Sequence, residues 1–291
     1  MKKVISAIIA AVMIVCSLAA CGGSADKDKD TGVKDLDKIK AAGVIRVGME
    51  CNYAPFNWTQ AAASDTTAEI TSGGYADGYD IQIAKKLADS LGVKLEVVKT
   101  EWDGLSQSLV SGEIDAIIAG MSPTAERKAT IDFSDNYYKS NLVIVVKKDG
   151  AFTGAKSIND FEGAKITGQL NTFHYTVISQ MKGVSKQTAL ADFPAMIVAL
   201  QSGTIDGYVS EKPGAVSAVA ANPDLTFVEF EGDNGFVTSD DDTAIAVGVR
   251  KGSDLREALN EALAKISDDE REQLMLDAVA RQPLSDDSSA E

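Results

Sequence analysis

Residues 108–122 read SLVSGEIDAIIAGMS, and residues 199–213 read ALQSGTIDGYVSEKP. Each passes from a helix end through Ser-Gly and Ile-Asp into a short strand; in the first, Ile114 to Ala119 is an apolar run with the character of a buried strand. Gly43-Val44 and Gly163-Ala164 open comparable strands. The chain therefore carries two similar units in which strands alternate with helices. That pattern implies parallel sheets and an α/β fold. Two lobes are expected, one before about Ser140 and one after it. Their spans are 35–141 with 242–291, and 142–241. Asp115 and Asp206, which recur at the same place in both units, are expected to brace the architecture and not to touch a ligand.

Between these anchors, Val44 to Gly48 reads as the first strand, and Glu50 to Phe56 leaves its carboxyl end. Tyr79 to Leu91 has apolar residues at helical spacing, at Ile81, Ile83, Ala84, Leu87, Ala88 and Leu91. Thr59 to Asp77 is rich in Ala, Ser, Thr and Gly and reads as a surface loop. Phe173 to Met181 reads as a helix, and Gln282 to Glu291 as a polar tail. The unusual residues fall in one kind of place. Glu50, Trp102, Gly120 to Ser122, Asn171-Thr172 and Glu211 each follow an expected strand. Open α/β sheets bind ligands beyond the carboxyl ends of their strands, so two facing sheets would share a cleft lined by these residues.

Residues 115–135, DAIIAGMSPTAERKATIDFSD, carry the chemistry of the first lobe. Ser122-Pro123-Thr124 reads as a helix start, with either Ser122 or Thr124 as N-cap and Pro123 suited to the first turn. Arg127 then lies in a first turn, where the helix dipole disfavours a cation. One reading pairs it with Glu126 or Asp132 on the surface. The other has it share an anion with the helix N–H groups, as a carboxylate gripped bidentately would be.

The net charge of −15 argues against a nucleic-acid partner, which needs a basic surface. Lys2-Lys3 followed by the apolar run Val4 to Val15 reads as a targeting segment spanning 1–20. Leu18-Ala19-Ala20-Cys21 resembles a bacterial lipobox, which implies cleavage before Cys21 and lipidation of its thiol; an ordinary secretory signal is the other reading. Residues 22–32, GGSADKDKDTG, read as part of a flexible tether over 21–34. No later run is long and apolar enough to cross a bilayer. Only Cys51 then remains in the folded part, without a disulfide framework or a Cys/His metal cluster. His174 is the only histidine. It is expected on a helix surface or at a hinge.

VGMECNYAPFNW, GYDIQIAKKLADSLGV, TEWDGLSQSLVSGEIDAIIAGMSPTAERKATIDFSDNYY and LQSGTIDGYVSEKP resemble the polar amino-acid-binding proteins of bacterial ABC importers. The resemblance covers most of Asp35 to Val279. It implies a two-lobed periplasmic-binding-protein clamp of type II, closing on one free amino acid without a cofactor or metal. Residue by residue it implies that Arg127 grips the ligand α-carboxylate. Ser122 would lend a backbone N–H and Thr172 reach the same group. Gly120 would accept from the α-ammonium through its backbone, and Glu211 pair with that ammonium from the second lobe. Tyr53 and Trp102 would sandwich the ligand side chain, and Glu50 would meet its polar tip. An acidic, π-lined pocket favours lysine or arginine, with glutamine or another polar amino acid next. The resemblance further implies a monomer on the outer face of the cell membrane, held by its lipid anchor alone and docking on ABC permease subunits. Glu at 211 departs from the usual Asp. Leu170-Asn171 stands where small residues are common, which implies a narrower pocket. The rival readings are a dehydratase-like enzyme and a sensor or adhesin lipoprotein on the same fold.

Overall fold

The computed structural model describes residues 34–283. The expected signal segment, Cys21 and the tether up to residue 33 lie outside the described residues. Among the described residues no helix is long and apolar enough to cross a membrane.

The fold is α/β and two-lobed, with one five-stranded sheet in each lobe. In the first sheet the order is Lys94–Lys99, Val44–Met49, Ala116–Ile117, Ala244–Arg250, Ile131–Lys139. In the second it is Ser185–Lys186, Lys165–Thr167, Gly207–Glu211, Leu142–Lys147, Leu225–Val228. Four strands of each sheet point the same way. The fifth is the crossing strand, Ala244–Arg250 in one sheet and Leu142–Lys147 in the other, and it runs antiparallel to its neighbours. The two crossing segments are tied where they pass: Ser140 N–H donates to the Thr243 carbonyl at 3.0 Å.

The apolar periodicity of Tyr79–Leu91 does what its spacing predicts. Ile81, Ile83, Ala84, Leu87 and Ala88 are buried. The helices Leu105–Ser111 and Phe193–Gln201 end at the two Ser-Gly pairs. The repeated aspartates then perform the same task twice. Asp115 accepts from the Arg46 N–H at 3.0 Å and returns its own N–H to the Arg46 carbonyl at 2.8 Å. Asp206 does the same with Lys165, at 2.8 Å in both directions. Each carboxylate thus extends the pairing of a central strand beyond the ladder, and Asp115 also holds the guanidinium of Arg46 at 2.9 Å.

Three local expectations change. Residues 59–77 are not a plain loop: Asn57–Gln60, Ala68–Glu69 and Tyr75–Asp77 join Asn52–Tyr53 in a small antiparallel sheet. Two- to four-residue strands carry too little hydrophobic alternation to be visible in sequence. The expected helix at 173–181 is a single α-turn, Phe173–Thr176, continued as a 3₁₀ turn over Val177–Gln180. Of the expected polar tail at 282–291, residues 284–291 lie outside the described residues, and Gln282 belongs to the packed fold. It is buried at the end of helix Asp268–Arg281 and exchanges hydrogen bonds with Ser217 of the second lobe.

Candidate functional site

The first strand delivers two of the expected residues. After Met49 the backbone turns through Cys51, held in the left-handed region (φ 55°) by its N–H donating to Asn57 Oδ1 at 2.7 Å. The turn leaves Glu50 and Tyr53 buried at the carboxyl end of the sheet. Trp102 follows the neighbouring strand in a 3₁₀ turn and is half-buried. Gly120 to Ser122 follow the third. Gly120 adopts φ 61°, and a Cβ there would lie 2.9 Å from Tyr53 Cε1, so a side chain would displace the tyrosine ring.

Thr124, not Ser122, caps the short helix Ala125–Lys128, its hydroxyl accepting from Arg127 N–H at 3.4 Å. One turn has no appreciable macrodipole, so the helix contributes little toward an anion. Arg127 itself does more. Its guanidinium lies half-buried, 5.0 Å over the Trp102 ring, and donates to the Ser122 carbonyl at 2.9 Å and the Asn171 carbonyl at 3.1 Å. Among the described residues it forms no ion pair with a carboxylate, and burial lowers its pKa to about 10. The surface pairing with Glu126 or Asp132 is not made; Asp132 is taken by Lys251 at 2.8 Å.

From the second lobe, Glu211 ends the strand Gly207–Glu211 and opens the helix Lys212–Ala221. It is 4% exposed. One carboxylate oxygen accepts from the Tyr53 hydroxyl of the first lobe, and the other takes His174 Nε2 at 3.0 Å. Burial raises the Glu211 pKa. Burial, then the charge of Arg127, lowers that of His174, so the imidazole is neutral. His174 Nδ1 is buried with no partner among the described residues.

Seven of the eight expected ligand residues line one cavity between the lobes: Tyr53, Trp102, Gly120, Ser122, Arg127, Thr172 and Glu211. Glu50 stands one contact back, accepting from Gln169 Nε2 at 3.2 and 3.3 Å. Burial raises its pKa to about 7; the Gln169 bond pulls it down, and Asp192, Glu101 and Asp103 push it further up. Tyr53 and Trp102 do not face each other as a pair. Tyr53 stacks on Phe193 of the second lobe at 4.2 Å, and Trp102 on Arg127. Leu170 does not narrow the cavity; it is 40% exposed and outside the lining. Gln169, Phe173 and His174 complete the wall and escaped the sequence reading. Their one signal was position, directly beyond a strand end. His174 in particular is a wall residue, not a surface one.

The lobes are in contact here. Tyr53–Glu211, Glu50–Gln169, Arg127–Asn171, Asp103–Asn171 (2.9 Å) and Asn52–Asp192 (2.9 Å) all bridge them. The enclosed space is about 10 Å³, room for roughly one water.

The family model of the bacterial extracellular solute-binding proteins, family 3, matches residues 45–277. The chain is 29% identical over 281 residues to the arginine-binding extracellular protein ArtP of Bacillus subtilis, covering 92% of this chain and 94% of that one. The amino acid ABC transporter substrate-binding protein AbpA of Streptococcus pneumoniae, solved bound to L-arginine, superposes with a TM-score of 0.72 at 29% identity, covering 84% of this chain and 98% of that one. The ancestral amino acid-binding protein AncCDT-1, a precursor of cyclohexadienyl dehydratase, gives 0.69 at 30% identity, covering 84% and 99%. With that match spanning most of its length and a two-lobed fold whose strand ends converge on one interlobe cavity, the chain belongs to the bacterial extracellular solute-binding proteins, family 3.

Proposed function

We propose that this protein is the receptor of an amino-acid ABC importer, closing its lobes on a free cationic amino acid, arginine or lysine. One observation carries the reading. A guanidinium with no carboxylate partner among the described residues and a buried carboxyl group line the same cavity from opposite lobes. A zwitterion needs that arrangement: an anion site and a cation site a bond apart. Splitting the two sites between lobes makes closure depend on the ligand, which supplies the differential affinity for the closed form. In this reading Arg127, the Ser122 N–H and Thr172 hold the α-carboxylate. Glu211 and the Gly120 carbonyl take the α-ammonium. Tyr53 and Trp102 flank the side chain, with Arg127 leaving the Trp102 face to it. Glu50 takes its tip. A buried acid with Asp192, Glu101 and Asp103 around it is a poor place for an anion and a good one for a cation. The named ligand of the arginine-binding relatives agrees. Because the enclosed space fits about one water, an amino acid enters only when the lobes part.

The first lobe comprises 35–141 with 242–291 and the second 142–241. The mature chain begins at the lipidated Cys21, sits on the outer face of the cell membrane as a monomer, and docks on the permease in its closed form. A carboxyl near 7 such as Glu50 is also what a general acid requires, so a dehydratase is the alternative to test. Titration of the full chain with each free amino acid by calorimetry, with recovery of the ligand, decides. The expected result is that arginine or lysine binds and is recovered intact. At 100 times its Kd it then stabilises the fold by about 2.7 kcal/mol, and Arg127→Ala removes the effect. Preference for glutamine would overturn the role given to Glu50. Binding of no amino acid would overturn the receptor reading, and a consumed ligand would establish the enzyme.

A further inference from the structure

The cationic end of the proposed zwitterion site contains more than its carboxylate. Glu211 carries a flexible three-torsion side chain, yet both its oxygens are held, one by Tyr53 and one by His174. The two donors differ in kind. Tyr53 belongs to the first lobe and leaves with it when the cleft opens. His174 sits on the same lobe as Glu211, in the turn after the strand Lys165–Thr167, so its 3.0 Å contact with Oε1 does not depend on the lobes meeting. Its environment limits its polar contacts to that one. Nδ1 is buried without a partner among the described residues, and Phe193 packs edge-on at 6.1 Å. The charged or titratable groups facing it are Glu211, Arg127 and, through Glu211, Tyr53. An imidazolium here would bury a second N–H without an acceptor, close to a guanidinium. The neutral ring with its proton on Nε2 is the form that fits.

We infer that His174 is a positioning residue for Glu211: as a neutral, buried donor it fixes the carboxylate in the open cleft without neutralising it, so that the negative charge is kept for a ligand ammonium. A lysine or arginine in its place would form the ion pair itself and compete with the ligand. An apolar residue would leave the side chain free to take other rotamers, and its ordering would then oppose binding. The inference rests on the receptor reading and deepens it.

The test is a double-mutant cycle on the full chain, titrated with L-arginine and L-lysine by calorimetry and accompanied by ligand-free melts. His174→Leu should weaken binding about tenfold, which corresponds to 1.4 kcal/mol. His174→Gln, which keeps a neutral donor, should stay within about threefold of wild type. In a Glu211→Asp background the shorter arm withdraws the carboxylate from Nε2, and His174→Leu should then change affinity less than twofold. Should Glu211→Asp bind too weakly to titrate, the contrast between the Gln and Leu variants decides. Equal loss in H174L and H174Q, equal effects in both backgrounds, or no effect of H174L overturns the inference while leaving the receptor reading intact. Failure of wild type to bind either amino acid overturns both.

Discussion

Gly214 offers a way to perturb closure without touching a charged group. It lies in the first turn of the helix Lys212–Ala221 in the second lobe and is buried. A Cβ placed on it would lie 3.3 Å from Tyr53 Cε2 and 3.4 Å from the Tyr53 hydroxyl, both atoms of the opposite lobe. The remaining close neighbour, Ser210 Oγ at 3.0 Å, belongs to the same lobe and donates to the Glu211 carbonyl at 3.1 Å, so a shift there draws on that bond in open and closed forms alike. Tyr53 cannot retreat easily, because Gly120 backs its other edge and Phe193 covers its face at 4.2 Å. Gly214→Ala therefore adds a methyl that crowds the closed lobes more than the open ones, where only the Ser210 contact remains. Within the second lobe the change favours the helix by up to about 1 kcal/mol. Across the cleft it costs about 1–3 kcal/mol, the usual range for one methylene too many in a packed contact. Since ligand affinity contains the free energy of closure, Kd should rise by roughly 5- to 150-fold. Calorimetry gives the Kd, and a thermal melt without ligand gives the stability of the lobes. An unchanged Kd would refute the tight approach of Tyr53 to Gly214. A loss of affinity matched by an equal loss of ligand-free stability would show the methyl damaging the second lobe and not its closure.

Other perturbations separate the site from its scaffold. Arg127→Lys keeps the charge but loses the fork that spans the Ser122 and Asn171 carbonyls; it should bind markedly less well than wild type, and Arg127→Ala should lose about 2–5 kcal/mol, both measured by titration. Asp115→Ala removes the brace on Arg46 and should lower the unfolding free energy in urea by about 1–3 kcal/mol with unchanged ligand affinity of the folded fraction. Asp80 is buried between Asn57 and Tyr137, and its pKa is raised to about 6, chiefly by burial. The folded chain thus holds this proton more tightly than the unfolded one, so its contribution to stability is present at about pH 4 and is lost as pH rises through 6. Relative to Asp80→Asn, wild type should lose up to about 3 kcal/mol over that window in urea melts. Ser217→Ala removes the hydroxyl that donates to the buried Gln282 Oε1, while Nε2 keeps the Ser217 backbone carbonyl, and should destabilise by about 1–3 kcal/mol, read from the same melts.

What could be read in the sequence was whatever the chain states locally and twice. Asp115 and Asp206 mark equivalent strand starts because the backbone N–H beside each central strand needs an acceptor, and a carboxylate following Ile supplies it in both lobes. The positions that line the cavity were legible for a related reason. A residue that follows a strand in an α/β sheet has its place set by that sheet, so Tyr53, Arg127 and Glu211 reach one cavity although they are far apart in the chain. His174 was not legible, because its burial comes from contacts that no local pattern encodes. It sits in a four-residue helical turn too short to show a face, against Glu211 and Phe193 from later segments. The same holds for Gln169, which meets Glu50 only across the cleft. The small sheet at 52–77 and the Gln282 contact are hidden likewise, being made of short or polar pieces whose partners lie elsewhere. A sequence reading of such a clamp thus recovers the groups that each sheet presents by itself. It misses the groups that matter only once the second lobe, or a second segment of the same lobe, comes to rest on the first. Glu211 shows both sides of this. Its strand makes it visible as an acid in the cleft, while the His174 ring that meets its carboxyl group at 3.0 Å is there by three-dimensional placement alone.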